Sequence, residues 1–173
     1  MRELLSFPNP VNEKAARTVA GVVAVLAIVT LATGWWWLLV PLAYGFVARV
    51  ATGPTLSPLG RLAMNVVAPR LGAPKHVAGP PKRFAQGIGA VLTTAAAVLA
   101  LAFGHHGIAA VLVVALVVAA GLESVLALCL GCKIFAVLMR AGVIPASVCA
   151  DCADIWSRPG MRRPQAADEP GAS

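Results

Sequence analysis

Residues 84–103 read FAQGIGAVLTTAAAVLALAF, and residues 108–128 read IAAVLVVALVVAAGLESVLAL. An α-helix crosses the hydrocarbon core of a bilayer with about 20 residues, rising about 1.5 Å per residue. Both stretches have that length, and neither alternates polar with apolar residues as a membrane β-strand does. In lipid the backbone has no outside hydrogen-bond partner, so a run of this kind must be a helix that satisfies its own amides. Two further apolar stretches lie upstream. One covers residues 16–33, with no charge after Arg17; the other covers residues 35–51, interrupted by Pro41 and ending around Arg49.

Composition agrees with a membrane reading. The chain of 173 residues is 59% hydrophobic and only 12% charged, about half the charged share of a soluble domain. The expected fold is all-α: a polytopic membrane protein with a four-helix transmembrane bundle in region 1–128, its helices near 16–33, 35–51, 84–103 and 108–128. Beyond it come a segment at 129–156 and a Pro-rich polar tail at 157–173 that should be disordered. No cleavable signal peptide is expected, because the first apolar run passes straight into a second.

Orientation follows from Lys and Arg in the short connections. The turn at Gly34 and the connection Gly104-His105-His106-Gly107 carry no formal charge. The middle connection carries Arg49, Arg61, Arg70, Lys75, Lys82 and Arg83, and no acid. That asymmetry places the middle loop, and with it both termini, in the cytoplasm. Trp35, Trp36 and Trp37 then sit at the outer interface. The net charge of +7 belongs largely to this loop, where it meets anionic headgroups, so nucleic-acid binding has little support. Within the loop, Leu56 to Ala68 reads as a short interfacial helix, capped by Ser57, with Pro58 in its first position and Pro69 as its end. Leu59, Leu62, Val66 and Val67 supply its apolar face; packing of the same helix on the bundle is the alternative. Gly72 to Pro81 should be an irregular connector.

The candidate chemistry lies in four cysteines, the only ones in the chain. Cys129 and Cys132 form CLGC; Cys149 and Cys152 form CADC, with 16 residues between the pairs. Paired cysteines suit dithiol–disulfide exchange or four-thiolate metal binding, and this spacing also matches a zinc site. CLGC should occupy the end of the last membrane helix or the turn beyond it. Its thiols would share one face, with Lys133 favouring a thiolate at Cys132. A second amphipathic stretch, Lys133 to Arg140, should end at Gly142. Asp151 and Asp154 oppose thiolate formation at the second pair, which makes it a resolving pair or a metal half-site. In a reducing cytoplasm a permanent structural disulfide is not expected.

Glu123 is an ionisable group inside a membrane segment and therefore a functional candidate. It lies about 9 Å along the axis from Cys129 and about 120° around a straight helix, so it is not a base for that thiol. It should accept a hydrogen bond inside the bundle, pair with Arg83 or Arg17, or reach the interface. His105 and His106, adjacent in the outer turn, point in different directions and read as a solvated loop rather than a metal site. Ordinary hydrolysis has little support, since no Ser/His/Asp set, phosphate loop or HExxH occurs.

Gly131 within CLGC, Met139-Arg140-Ala141-Gly142-Val143-Ile144-Pro145, and Cys149-Ala150-Asp151-Cys152 together resemble the DUF4395 family of small bacterial membrane proteins. The opening Asn9-Pro10-Val11-Asn12 also looks like the start of that family. The resemblance implies a bacterial cytoplasmic (inner) membrane location. It also implies association with thioredoxin-like or rhodanese-like (sulfurtransferase) proteins, with Cys129, Cys132, Cys149 and Cys152 carrying a redox or sulfur-relay role. The function expected is therefore thiol–disulfide exchange or sulfur relay with such a soluble partner. Two alternatives stay open. In one, the same four cysteines hold zinc or an iron–sulfur centre. In the other, the chain transports a small sulfur species, with Glu123 lining the path.

Overall fold

The computed structural model describes residues 11–70, 72, 75–149 and 152. The expected tail at 157–173 and the acids Asp151 and Asp154 lie outside the described residues.

The first long helix, α1, covers Glu13–Thr33. The side chain of Asn12 caps it, accepting from the Lys14 amide, which supplies one of the donors a helix start leaves orphaned. A 3₁₀ turn at Trp36–Leu38 leads into α2, Leu39–Thr52. The middle loop holds α3 (Pro58–Leu62), a π-helical turn at Ala63–Val67 and α4 (Ala68–Arg70). Then come α5 (Gly79–Leu101), α6 (His106–Leu126) and α7 (Leu130–Arg140), with a 3₁₀ turn at Ala146–Val148. One small antiparallel ladder ties the start of the chain to the middle loop: β1 (Val11–Asn12) pairs with β2 (His76–Val77).

Helices α1, α5 and α6 are each long and apolar enough to cross a membrane; the stretch Trp36–Thr52 is apolar but shorter. Their outward faces carry Val25, Ile28, Val91, Val98, Val111 and Val118, all exposed. So apolar an exterior suits hydrocarbon rather than water. Inside, the core is built largely from small residues. Ala27, Ala96 and Ala109 are fully buried, which lets backbones approach closely and gain dispersion contact where lipid offers no hydrophobic drive. Thr30 and Thr93 are buried as well, and each hydroxyl donates back to a carbonyl of its own helix, Leu26 at 2.8 Å and Gly89 at 2.7 Å.

The helices are arranged so that α1 lies along α6, α6 along α5, and α5 along α2. Contact between α1 and α2 is slight, and the middle loop fills the opening between them. At the α2–α5 seam the Phe46 ring lies directly on Gly89, where a Cβ would overlap the ring.

One expectation about the loop is met and two are corrected. Ser57 does cap α3 through the Gly60 amide, with Pro58 at its start. Pro69, however, does not end the segment, because the last turn runs on to Arg70. The connector Gly72 to Pro81 is not wholly irregular: β2 forms within it, and α5 begins at Gly79. Gly79-Pro80-Pro81 starts a helix because proline's fixed φ and missing amide cost nothing in the first turn. This earlier start brings Lys82 into the first turn of α5 and places Arg83 just beyond it.

Candidate functional site

Helix α6 stops at Leu126. Ala127 takes a left-handed conformation (φ 55°), and the Leu128 amide donates back to the Leu122 carbonyl at 3.1 Å, closing the helix end. Arg17 reinforces this end from α1. Its guanidinium donates to the carbonyls of Ser124, at 2.9 and 3.1 Å, and Val125, at 3.1 Å. Those carbonyls belong to the last turn, where intrahelical partners run out. The chain then reverses into α7, and Cys129 is its N-cap: the Cys129 Sγ accepts the Cys132 amide at 3.4 Å. CLGC therefore does not continue the membrane helix. It opens a new one, with Cys129 at its positive end and Cys132 in its first turn.

Helix α7 is held against α5. Phe135 is buried and meets Phe84 with ring centroids 5.6 Å apart. Gly131 lies on the backbone of Ala85, so closely that a Cβ at 131 would stand 2.5 Å from the Ala85 Cβ and 2.6 Å from its Cα. The glycine of CLGC is thus the point at which the thiol pair is seated on the bundle.

Beneath the pair, Lys82 from the first turn of α5 and Glu123 from the last turn of α6 form an ion pair at 2.5 Å. Both side chains are largely buried. Of the expected places for Glu123 (a hydrogen bond inside the bundle, a basic partner such as Arg83 or Arg17, or the interface), it takes a basic partner inside the bundle, but neither of the two arginines named. Instead Arg17 goes to the α6 carbonyls, and Arg83 donates to the Val50 carbonyl at 2.9 Å. Lys82 takes the acid because the early start of α5 brings it level with the end of α6.

The two thiols are made unequal by their geometry. Cys129 is 8% exposed and Cys132 is half-buried; both are free thiols. The hydrogen bond from the Cys132 thiol holds the Cys129 thiol below its ordinary range. Lys82 and the Cys132 amide add to this, against burial and Glu123. The same bond, with burial, pushes the Cys132 thiol far up. This is opposite to the expectation that Lys133 favours a thiolate at Cys132: Cys129 is the more acidic thiol of the pair and Cys132 the less acidic. Thiol alkylation should reflect this. Cys129 should react with a half-maximal rate at a pH below about 8.5, the ordinary thiol value. Cys132→Ala, by removing the donor, should move that midpoint upward, as read by mass spectrometry of the alkylated peptide.

Cys149 and Cys152 are joined by a disulfide, with Cys149 buried. Among the described residues no three His, Cys, Asp or Glu side chains gather to hold a metal ion. His105 and His106 do not converge either: His106 stacks on Trp36 and His105 on Phe103.

Sequence reasoning missed Lys82, Arg49 and Gln86. Arg49, near the end of α2, is 6% exposed. Its Nε donates to Gln86 Oε1 at 2.9 Å and its Nη1 to Ser57 Oγ at 3.3 Å, and its guanidinium lies 4.6 Å from the Phe46 ring centre. For Lys82 the Gly-Pro-Pro start signal was available. For Arg49 nothing in the sequence separates a buried guanidinium from one that reaches the headgroups.

The architecture and the site define a helical membrane protein with a reduced CxxC at a helix N-terminus, seated over a buried ion pair. The profile of the DUF4395 family, a domain of unknown function, matches residues 11–140, and the chain belongs to this family. The matched span takes in Cys129 and Cys132 and ends before Cys149 and Cys152. Comparison with curated proteins and with solved structures gives no match.

Proposed function

We propose that this protein carries out thiol–disulfide exchange at the cytoplasmic face of a bacterial inner membrane, with Cys129 as nucleophile and Cys132 as resolving thiol. The observation that carries the reading is the position of Cys129 as N-cap of α7. There the helix end, the Cys132 donor and Lys82 all favour its thiolate. The Trp36–Thr52 stretch is a fourth, shorter span, both termini are cytoplasmic, and the α3–α4 segment lies at the interface with Leu62 and Val66 exposed.

In the exchange, the Cys129 thiolate attacks one sulfur of a partner disulfide. That S–S bond breaks, and the departing thiolate takes up a proton. Cys132 gives up its proton and attacks the mixed disulfide, releasing the partner's second sulfur. The product is a Cys129–Cys132 disulfide and a reduced partner, two electrons having passed to the partner. A thioredoxin-like or rhodanese-like protein fits as that partner; with a persulfide carrier, Cys129 takes the sulfane sulfur instead. Cys149–Cys152 forms a second dithiol couple.

The test uses full-length protein purified without oxygen. Cys132→Ser should accumulate a mixed disulfide between Cys129 and a single-cysteine thioredoxin-like protein supplied as its thionitrobenzoate disulfide, with thionitrobenzoate leaving, and Cys129→Ser should accumulate none. Stoichiometric zinc with Cys129 and Cys132 closed to alkylation would overturn the exchange reading in favour of a metal clip.

A further inference from the structure

The opening between α1 and α2 is not completely filled by the middle loop. A cavity of about 110 Å³ remains there, lined among others by Asn12, Arg49, Gly60, Met64, Lys82 and Gln86. A water occupies about 30 Å³ of liquid, so the space suits one small polyatomic ion or a few waters.

The charges around it are unbalanced. Lys82 is matched by Glu123. Arg49 is 94% withdrawn from solvent, and neither of its two side-chain partners, Gln86 and Ser57, is charged. Among the described residues its Nη2 is buried without a hydrogen-bond partner. A guanidinium offers five N–H donors in a rigid fork matched to tetrahedral oxyanions and carboxylates. Its hydrogen-bond partners are neutral, and Glu123, which lies within electrostatic reach, is already bonded to Lys82, so an anion at Nη2 would offset the cost of burying the guanidinium. Gln86 fixes the fork from α5 and Ser57 from the loop, so it is oriented before any ligand arrives. Lys82 uses its ammonium on Glu123 and has further donors to offer.

We propose that this cavity binds one tetrahedral oxyanion of the sulfate or phosphate class, held by Arg49 and assisted by Lys82. The site shares Lys82 with the ion pair beneath the thiols, but it does not rest on the thiol reading. It stands at the loop end of the bundle, so the anion comes either from solution or from the phosphate of a lipid headgroup.

Equilibrium dialysis of the full-length chain in zwitterionic detergent, against labelled sulfate and against phosphate at ionic strength held with chloride, tests this directly. Native mass spectrometry before and after delipidation separates the sources. A free-oxyanion site binds one sulfate or phosphate per chain whatever the lipid content. A headgroup site retains one anionic phospholipid and takes up sulfate only once that lipid is stripped. Arg49→Gln should weaken either by about tenfold or more, the loss of a charged hydrogen bond. Should Arg49→Gln fail to fold, Ala16→Leu keeps the guanidinium and fills the cavity, and should have the same effect. Folded wild-type protein that takes up neither oxyanion and retains no anionic lipid overturns the proposal, as does binding that survives Ala16→Leu unchanged.

Discussion

Lys82→Met should destabilise the folded chain by about 3–5 kcal/mol, because it leaves the Glu123 carboxylate buried without its partner. Glu123→Gln should cost less, since the amide oxygen still accepts from Lys82. The double variant Lys82→Met with Glu123→Leu should recover most of the loss, because a buried pair replaced by apolar groups of similar volume is often neutral. Thermal unfolding in detergent, with all three variants measured together, reads this coupling. The thiol gives a second readout with opposite signs. Lys82 favours the Cys129 thiolate and Glu123 opposes it. Lys82→Met should therefore move the alkylation midpoint of Cys129 to higher pH, and Glu123→Gln should move it to lower pH. Shifts in one common direction would show that the variants act through unfolding and not through charge at the thiol.

Gly131→Ala should unseat α7. The added Cβ has no space against Ala85, where the obstructing atoms include backbone that cannot rotate away. Overpacking of this kind costs about 1–3 kcal/mol. Here the least costly relief is for α7 to lift from α5, which parts Phe135 from Phe84. Cys129, now buried, should then become several-fold faster to alkylate at a fixed pH well above its midpoint, while the unfolding temperature of the α1–α6 bundle changes little. Ala85→Gly added to Gly131→Ala should restore protection only in part, since it removes the Cβ at 2.5 Å and leaves the Cα at 2.6 Å. Unchanged protection of Cys129 in Gly131→Ala would mean that Phe135, and not the glycine, seats the helix.

The three long helices were legible in the sequence because lipid permits one solution for a long apolar run. Their boundaries moved where proline chemistry, not hydropathy, sets a helix start: Gly79-Pro80-Pro81 opens α5 five residues before Phe84, the first residue of the apolar run. That shift hid the partner of Glu123, although Glu123 itself stood out as an intramembrane acid. The cysteine pairs were legible as a motif, but their inequality was not. Lys133 is the charge nearest in sequence. The interactions that decide between Cys129 and Cys132 come from a helix start, from each other and from Lys82 about 47 positions earlier in the chain. No periodicity reports the Ala127 reversal, since alanine is rare in a left-handed conformation and gives no turn signal.

Arg17 grips the end of α6 across 107 positions of sequence, and α1 has its main helical neighbour there rather than in α2. A chain emerging from a ribosome delivers α1 first and α6 last of the membrane helices. During synthesis α1 therefore waits in the bilayer without its proper mate, its Arg17 facing headgroups, while the intervening helices arrive. Only release of the final span lets the first one dock, and the same event orders the turn that presents Cys129. Chains cut short during translation would thus insert into the membrane without the seated Cys129–Cys132 pair.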